Sequence, residues 1–486
     1  MEKLDGTSDL NTNPNQMIFD DLDDINNVLG FQKNHFSFVK NSSSEVRISK
    51  LRKLKSVILA YRPQIEQALF SDLQKNPYEA NYSEIFVTLS EIRYFIKNLR
   101  SWMKDKKVPN SLPYMGSSSK IKYEPKGNCL IITPWNYPFY LTISHLVACV
   151  AAGNVVIVKP SEFTHHTSIL IKKILSEVYD EKEVAVVFAE KEVSAAMTCL
   201  PFDHIHFTGS TATGKRIMEA AANNLCSVTL ELGGKSPVII DENYPIGNCI
   251  RQIGWGKFLN AGQTCIAPDY VLIHESRKEE FYTQLKKYLI DSFGENPMES
   301  PILTNIIHSD HLNKIKYLLE NAVNSGARLI HGGRYDENKL RFEPTIVEFN
   351  DLNADLMQQE IFGPILPVIT YNKLDEALFI INSRPKPLAM YLFSNDNKWL
   401  GQVLNNTSSG SVSINDTMAH FVQTYLPMGG VNHSGIGKSH GHYGFLEFSN
   451  QRAILKAHLR GGITWPFHFP YTDFKKKLLE VLMKWF

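Results

Sequence analysis

The sequence has little that would staple or anchor it. Its six cysteines form no Cys-x-x-Cys pair and no Cys/His cluster at zinc spacing. Neither a disulfide framework nor a structural metal is therefore indicated, and metal ligands are expected to be absent. Scattered free thiols suit a reducing compartment, so a cytoplasmic location is expected. Charge of one sign is also missing: 51 Lys and Arg face 50 Asp and Glu, a net +1. A nucleic-acid partner would need a basic stripe, and none is expected. No signal peptide is expected, since MEKLDGTSDLNTNPNQ contains no apolar run.

A long uninterrupted apolar run is lacking too, although one stretch imitates it. Gly127–Val158 contains no Asp, Glu, Lys or Arg. Pro134, Asn136 and Pro138 break it in the middle, where a membrane helix needs about 20 continuous apolar residues. It reads instead as strand Cys129–Thr133, a sharp turn, a helix from Pro138 to Ala152, then Gly153 and strand Val155–Val158, a buried βαβ unit.

The 486 residues, 43% hydrophobic and 21% charged, suit an ordinary globular enzyme of about three domains. The first 40 residues start acidic, with Glu2, Asp5, Asp9, Asp20, Asp21, Asp23 and Asp24 against Lys3 up to Gly30. They read as a solvated, poorly ordered leader. From Glu45 to Met103 apolar residues recur at helical spacing, first Ile48, Leu51, Leu54, Val57 and Tyr61, then Ile85, Leu89, Ile92, Phe95, Leu99 and Met103. Strands Val184–Phe188, His204–Phe207, Ser227–Leu230 and Val238–Asp241 then alternate with helical segments such as Gly214–Ala222. Such alternation argues an open, mostly parallel sheet, with a second α/β region from Gly254 to Pro427. In the tail, Phe474, Leu478, Leu482 and Trp485 stripe a helix flanked by Lys475, Lys476, Lys477 and Lys484. Such a helix docks on the protein, on a partner subunit or on a membrane surface.

Several segments carry candidate chemistry. Phe207-Thr-Gly-Ser-Thr-Ala-Thr-Gly214 is a strand end, a glycine turn and a helix start, where backbone N–H groups attract a pyrophosphate. Cys265 follows the small, polar Asn260-Ala-Gly-Gln-Thr, a place for a nucleophilic thiol. Glu231 opens Glu-Leu-Gly-Gly-Lys-Ser-Pro237, where a carboxylate in a closed cleft can act on water as general base. Pro134-Trp-Asn136-Tyr-Pro138 fixes an amide suited to an oxyanion. Taken singly, each allows a plain structural reading: a tight turn, a buried Cys, a solvated Glu, an Asn satisfying its own turn.

Together they are specific. With Lys159-Pro-Ser-Glu162 and Glu360-Ile-Phe-Gly-Pro364 they occur in one order that closely resembles the NAD(P)-dependent aldehyde dehydrogenase superfamily, from about Arg47 to Leu459. Cys265-Ile-Ala-Pro-Asp-Tyr270, Arg384-Pro-Lys-Pro-Leu388 and the aromatic tail Trp465–Tyr471 are similar to its class 3, the fatty aldehyde group. Ala261 stands where class 3 members often carry Cys, and the tail has no long hydrophobic anchor.

The resemblance implies an α/β fold with a Rossmann-type cofactor domain (41–106 and 126–233), a catalytic domain (234–427), an oligomerisation β-ribbon (107–125 and 446–462) and a tail helix (463–486). It implies Cys265 as nucleophile, Asn136 with the Cys265 N–H as oxyanion hole, and Glu231 as base. It assigns the cofactor to Thr133, Trp135, Lys159, Glu162, Gly209, Ser210, Gly214, Glu360 and Phe362. NAD is expected, because an acid at Glu162 accepts ribose hydroxyls and repels a 2′-phosphate, with NADP open. The implied activity is oxidation of medium- or long-chain aliphatic, or aromatic, aldehydes to acids by a homodimer. The alternatives are an acylating relative that passes the thioester to another acceptor, and a silent scaffold.

Overall fold

A computed structural model describes residues 17–111, 114, 116–349, 351–458 and 464–485. The apolar stretch without charge forms strand Asn128–Ile132, helix Pro138–Ala152 and strand Val155–Lys159. Proline at the helix's first position and Gly153 in the left-handed region (φ 95°) set its two ends. Both strands are wholly buried, as parallel strands covered on two faces must be.

These strands belong to a six-stranded sheet ordered Gly435–Ile436, Ser227–Glu231, His204–Thr208, Asn128–Ile132, Val155–Lys159, Val184–Val186. All pairings are parallel except at the Gly435–Ile436 edge. The chain runs outward from Asn128–Ile132 to Val184–Val186, then returns to build His204–Thr208 on the other side of the first strand. That reversal opens a crevice outside the carboxyl ends of the two central strands, where such sheets bind ligands.

A second sheet of seven strands runs Arg328–His331, Thr345–Glu348, Ile365–Tyr371, Tyr270–His274, Pro237–Ile240, Ala389–Phe393, Ser411–Ile414, antiparallel only at its first pair. Glu231 ends a strand of the first sheet, and six residues later Pro237 opens one of the second. The join therefore lies beside the crevice. Lys106–Val108, Ser117–Pro125 and Ser449–Ala457 form a separate antiparallel ribbon, with Ser449 paired to Pro125 and Ala457 to Ser117.

The expected disordered leader is corrected by the structure from residue 20 onward; residues 1–16 lie outside the described set. Leu22–Lys40 is a helix, begun by a capping box between Asp21 and Asp24. Ile25 and Leu29 are buried among side chains of the six-stranded sheet, and Gln32 Nε2 donates to Val156 O at 3.0 Å. Of the acids that make this segment look solvated, Asp21, Asp23 and Asp24 sit at the helix N-terminus, where the dipole favours them. The helical stretch from Glu45 is also broken, into Ser44–Ala60, Arg62–Leu73, Pro77–Ala80, a π-turn at Asn81–Phe86, and Val87–Trp102.

Candidate active site

Cys265 is positioned by a strained loop. Asn260 and Ala261 both have φ 51° and Gly262 has φ 75°. A left-handed alanine costs about 1–2 kcal/mol, so the surroundings must hold it. Asn260 Nδ2 donates to Asn136 O at 2.9 Å, and Gln263 Nε2 to Asn260 O and Asn305 O, both at 3.0 Å. A side chain at Gly262 would collide with the carbonyl of Gly363. The Gly-Gln-Thr-Cys and Ile-Phe-Gly-Pro segments therefore touch, which their separation in sequence hides.

Two cavities meet at Cys265. One, of about 220 Å³, is lined by Trp135, Asn136, Gly209, Ser210, Glu231, Glu360 and Phe362 with Cys265 itself. The other, of about 280 Å³, is walled by apolar and aromatic side chains including Tyr82, Phe86, Leu141, Trp255, Met418 and Phe421. Eight of the residues marked in the sequence thus share the first cavity. Thr133, Lys159, Glu162 and Gly214 do not line it. Lys159, the last residue of the next strand, pairs with Glu162 just beyond it. Thr133 N donates to Lys159 O at 3.1 Å. Gly214 lies in the first turn of helix Thr211–Ala222, where a Cβ would approach Leu232 Cδ2 at 2.7 Å.

Burial sets the acid–base character of the site. Glu231 is buried with Oε1 unpartnered among the described residues, and desolvation lifts its carboxyl to about 7. Glu360 rises to about 8 through burial and then the charge of Asp269. The Cys265 thiol is pushed far up by burial, then by Glu360 and Glu231, while its own N–H and that of Ile266 pull it down. Asn136 Nδ2 donates to Gln263 O at 3.0 Å, which leaves its second N–H free.

Residues without a motif complete the site. His311 and Lys314, on helix Ser309–Asn324, line the first cavity; His311 Nε2 donates to Phe362 O and Lys314 Nζ to Glu360 O, both at 2.8 Å. Their only sequence signal is the i, i+3 spacing. Lys235 pairs with Asp269 and donates to Leu356 O at 2.8 Å and Gln359 O at 2.9 Å, while Asp269 accepts from Ile361 N at 3.1 Å. This pair pins the chain on both sides of Glu360.

Asn136 is held in a comparable way. Lys75 Nζ reaches Glu84 at 2.6 Å and Asn136 O at 3.1 Å, and both Lys75 and Glu84 are fully buried. The other Glu84 oxygen accepts from Phe139 N and Tyr140 N, capping helix Pro138–Ala152. Lys75→Met is expected to destabilise the protein by about 3–5 kcal/mol, because it strands a buried carboxylate. Adding Glu84→Leu should recover only part of this, since two helix N–H groups then lose their acceptor. Thermal denaturation of the single and double variants checks both expectations; a Lys75→Met protein as stable as the wild type would refute them.

A model of the aldehyde dehydrogenase family matches residues 20–454. The chain is 40% identical over 454 residues to the 4,4'-diaponeurosporen-aldehyde dehydrogenase of Staphylococcus aureus, covering 93% of this chain and 97% of that protein. It is 38% identical over 439 residues to the dimeric NADP-preferring aldehyde dehydrogenase of Mus musculus, covering 90% and 96%. A substrate-bound structure of Staphylococcus aureus AldH superposes with a TM-score of 0.90 at 40% identity, covering 94% of this chain and 99% of that one.

Proposed function

The chain belongs to the aldehyde dehydrogenase family, whose members are oxidoreductases acting on aldehydes, and from that premise we propose that Cys265, Asn136 and Glu231 carry the reaction on apolar aldehydes. The observation that supports this best is the position of Cys265 where a polar cavity and an apolar one meet.

The polar cavity suits a nicotinamide dinucleotide. Glu360 Oε1 is buried without a partner, an acceptor for ribose hydroxyls. Gly209 and Ser210 lead into helix Thr211–Ala222, whose N–H groups face a pyrophosphate. Trp135 and Phe362, edge to face at 5.4 Å, wall the pocket. When bound, the nicotinamide supplies the two-electron acceptor. Lys159 and Glu162, with Thr133 and Gly214 behind the turn, flank the adenosine end. Because Lys159 neutralises Glu162, the acid does not bar a 2′-phosphate, and both NAD and NADP fit this reading. The mouse relative's name, which specifies a preference for NADP, agrees with it.

The chain's own groups do the rest. Ionisation of so reluctant a thiol is coupled to bond formation, with its proton passing to solvent water in the cavity that Glu231 and Glu360 face. Sγ joins the aldehyde carbon to give a thiohemiacetal, and the free Asn136 N–H and the Cys265 N–H hold the oxyanion. Each such donor is worth about 3–4 kcal/mol. Once a thioester stands on Cys265, the Glu231 carboxylate takes a proton from water, which attacks and releases the acid.

The test is product analysis with a long-chain alkanal. Free carboxylic acid formed with NAD or NADP alone supports the reading. A requirement for coenzyme A or phosphate would move the protein to the acylating reading, and silence with both cofactors to the scaffold.

Assembly as a homodimer is supported by the edge strand Ser449–Ala457, nine residues long and exposed, an open template for pairing. Helix Asp473–Trp485 shows Phe474 and Val481 to solvent on one face, which a second copy can cover. Its lysines favour a membrane surface as the second reading. No described helix is long and apolar enough to cross a membrane. Light scattering should show a dimer that weakens when residues 471–486 are removed. An unchanged mass, with tail-dependent sedimentation on anionic vesicles, would favour the membrane instead.

A further inference from the structure

Glu231 does not stand alone on the side away from the cofactor cavity. Behind it lie His145, from helix Pro138–Ala152, and His206, from strand His204–Thr208, both buried. Their rings lie 3.9 Å apart between centroids, tilted by 39°. His145 Nε2 is 3.9 Å from Glu231 Oε2 and a distant 3.5 Å from Thr208 Oγ1. Neither nitrogen of His206 has a hydrogen-bond partner among the described residues, and nor does Glu231 Oε1. One ligand-competent atom from each of the three residues lies within 4.8 Å of the other two, and among the described residues this is the one group of three His, Cys, Asp or Glu that converges so.

Unpartnered polar atoms in a dry interior cost about 1–3 kcal/mol each, so a cluster of them calls for an occupant. Among the described residues no hydrogen bond engages either nitrogen of His206, so a ring lone pair is available to an occupant. Two imidazoles and one carboxylate form a donor set that holds Zn²⁺ through three protein ligands, with a fourth position open. Tetrahedral bonds of about 2.0–2.2 Å bring ligand atoms to about 3.4 Å of one another, so a separation of up to 4.8 Å must close through side-chain torsions.

We propose that His145, His206 and Glu231 form a binding site for a divalent transition-metal ion of the zinc kind, and that its occupancy reversibly switches off the hydrolytic half of the reaction. The switching part rests on Glu231 being the base: a carboxylate that ligates a cation no longer takes water's proton. Entry is from the cofactor cavity, because Glu231 lines it while the histidines lie behind. Sequence spacing is blind to such a site, since its ligands come from a helix and two different strands.

Co²⁺ serves as the probe, with the full chain carrying Cys265→Ala to remove the nearby thiol. Equilibrium dialysis should find one Co²⁺ per chain, with visible d–d bands, no sulfur-to-cobalt charge transfer, and displacement by Zn²⁺. Adding His206→Leu, which removes two unpartnered nitrogens, should weaken uptake by about 100-fold or more, and His145→Leu likewise. With Cys265 intact, Zn²⁺ should slow steady turnover but spare the first turnover of NAD(P)H. His206→Leu, referred to its own rate in chelator, should resist by the same factor. No Co²⁺ uptake by the Cys265→Ala chain, or uptake that neither histidine variant changes, overturns the site and leaves water as its occupant. Binding on these terms with turnover untouched supports the site and overturns Glu231 as the base.

Discussion

Cys265→Ala is expected to lower NAD(P)H formation from a long-chain alkanal by about 10⁴-fold or more, the scale on which loss of a covalent nucleophile acts. The physical ground is that the aldehyde carbon yields its two electrons readily only after it becomes tetrahedral, and Cys265, the proposed nucleophile, lines both cavities. The loop that carries Cys265 is held by Asn260, Gln263 and Gly262 rather than by the thiol, so the variant should fold as the wild type does. Cofactor binding, followed by quenching of intrinsic fluorescence, should persist. A Cys265→Ala protein that keeps a tenth of the wild-type rate would sink the assignment and return Cys265 to a plain structural role.

Glu231→Gln is expected to separate the two halves of the reaction. The first turnover should still deliver about one NAD(P)H per active site, because the thioester forms before water is needed. Steady turnover should then fall by about 10²–10⁴-fold, the usual contribution of a general base, and an acyl adduct on Cys265 should be visible by intact mass. The sign of the pH dependence follows from burial. The base works as carboxylate, and desolvation places its midpoint at about 7. Steady turnover in the wild type should therefore rise as the pH passes through about 7 and flatten above it. In Glu231→Gln this step should vanish. Equal losses in first and later turnovers would place Glu231 in the capture of the aldehyde instead.

Both expectations join residues that are far apart in the chain. Cys265 and Glu231 were legible because each sits in a short segment whose local pattern recurs with others in a fixed order. The strand–turn–helix at Phe207–Gly214 and the βαβ unit across Gly127–Val158 were legible for a simpler reason: apolar runs and glycine or proline stops act over a few residues. The acidic leader shows where composition misleads. Asp20, Asp21, Asp23 and Asp24 argued for solvation, yet Asp21 and Asp24 cap a helix that Ile25, Leu29 and Gln32 dock on the sheet. Their i, i+4, i+7 spacing was present in the sequence, and net charge outweighed it.

The sequence by itself determined the α/β alternation, the glycine turn and the segments that make Cys265, Glu231 and Asn136 candidates for nucleophile, base and oxyanion amide, since each depends on neighbours along the chain. Only the tertiary structure decided what tunes them. Lys75 with Glu84 behind Asn136, Lys235 with Asp269 on either side of Glu360, and His145 with His206 behind Glu231 are single side chains brought together from 9, 34 and 61 residues apart. Such pairs leave no periodicity, and the burial that lifts Glu231 to about 7 exists only once both sheets have closed around it.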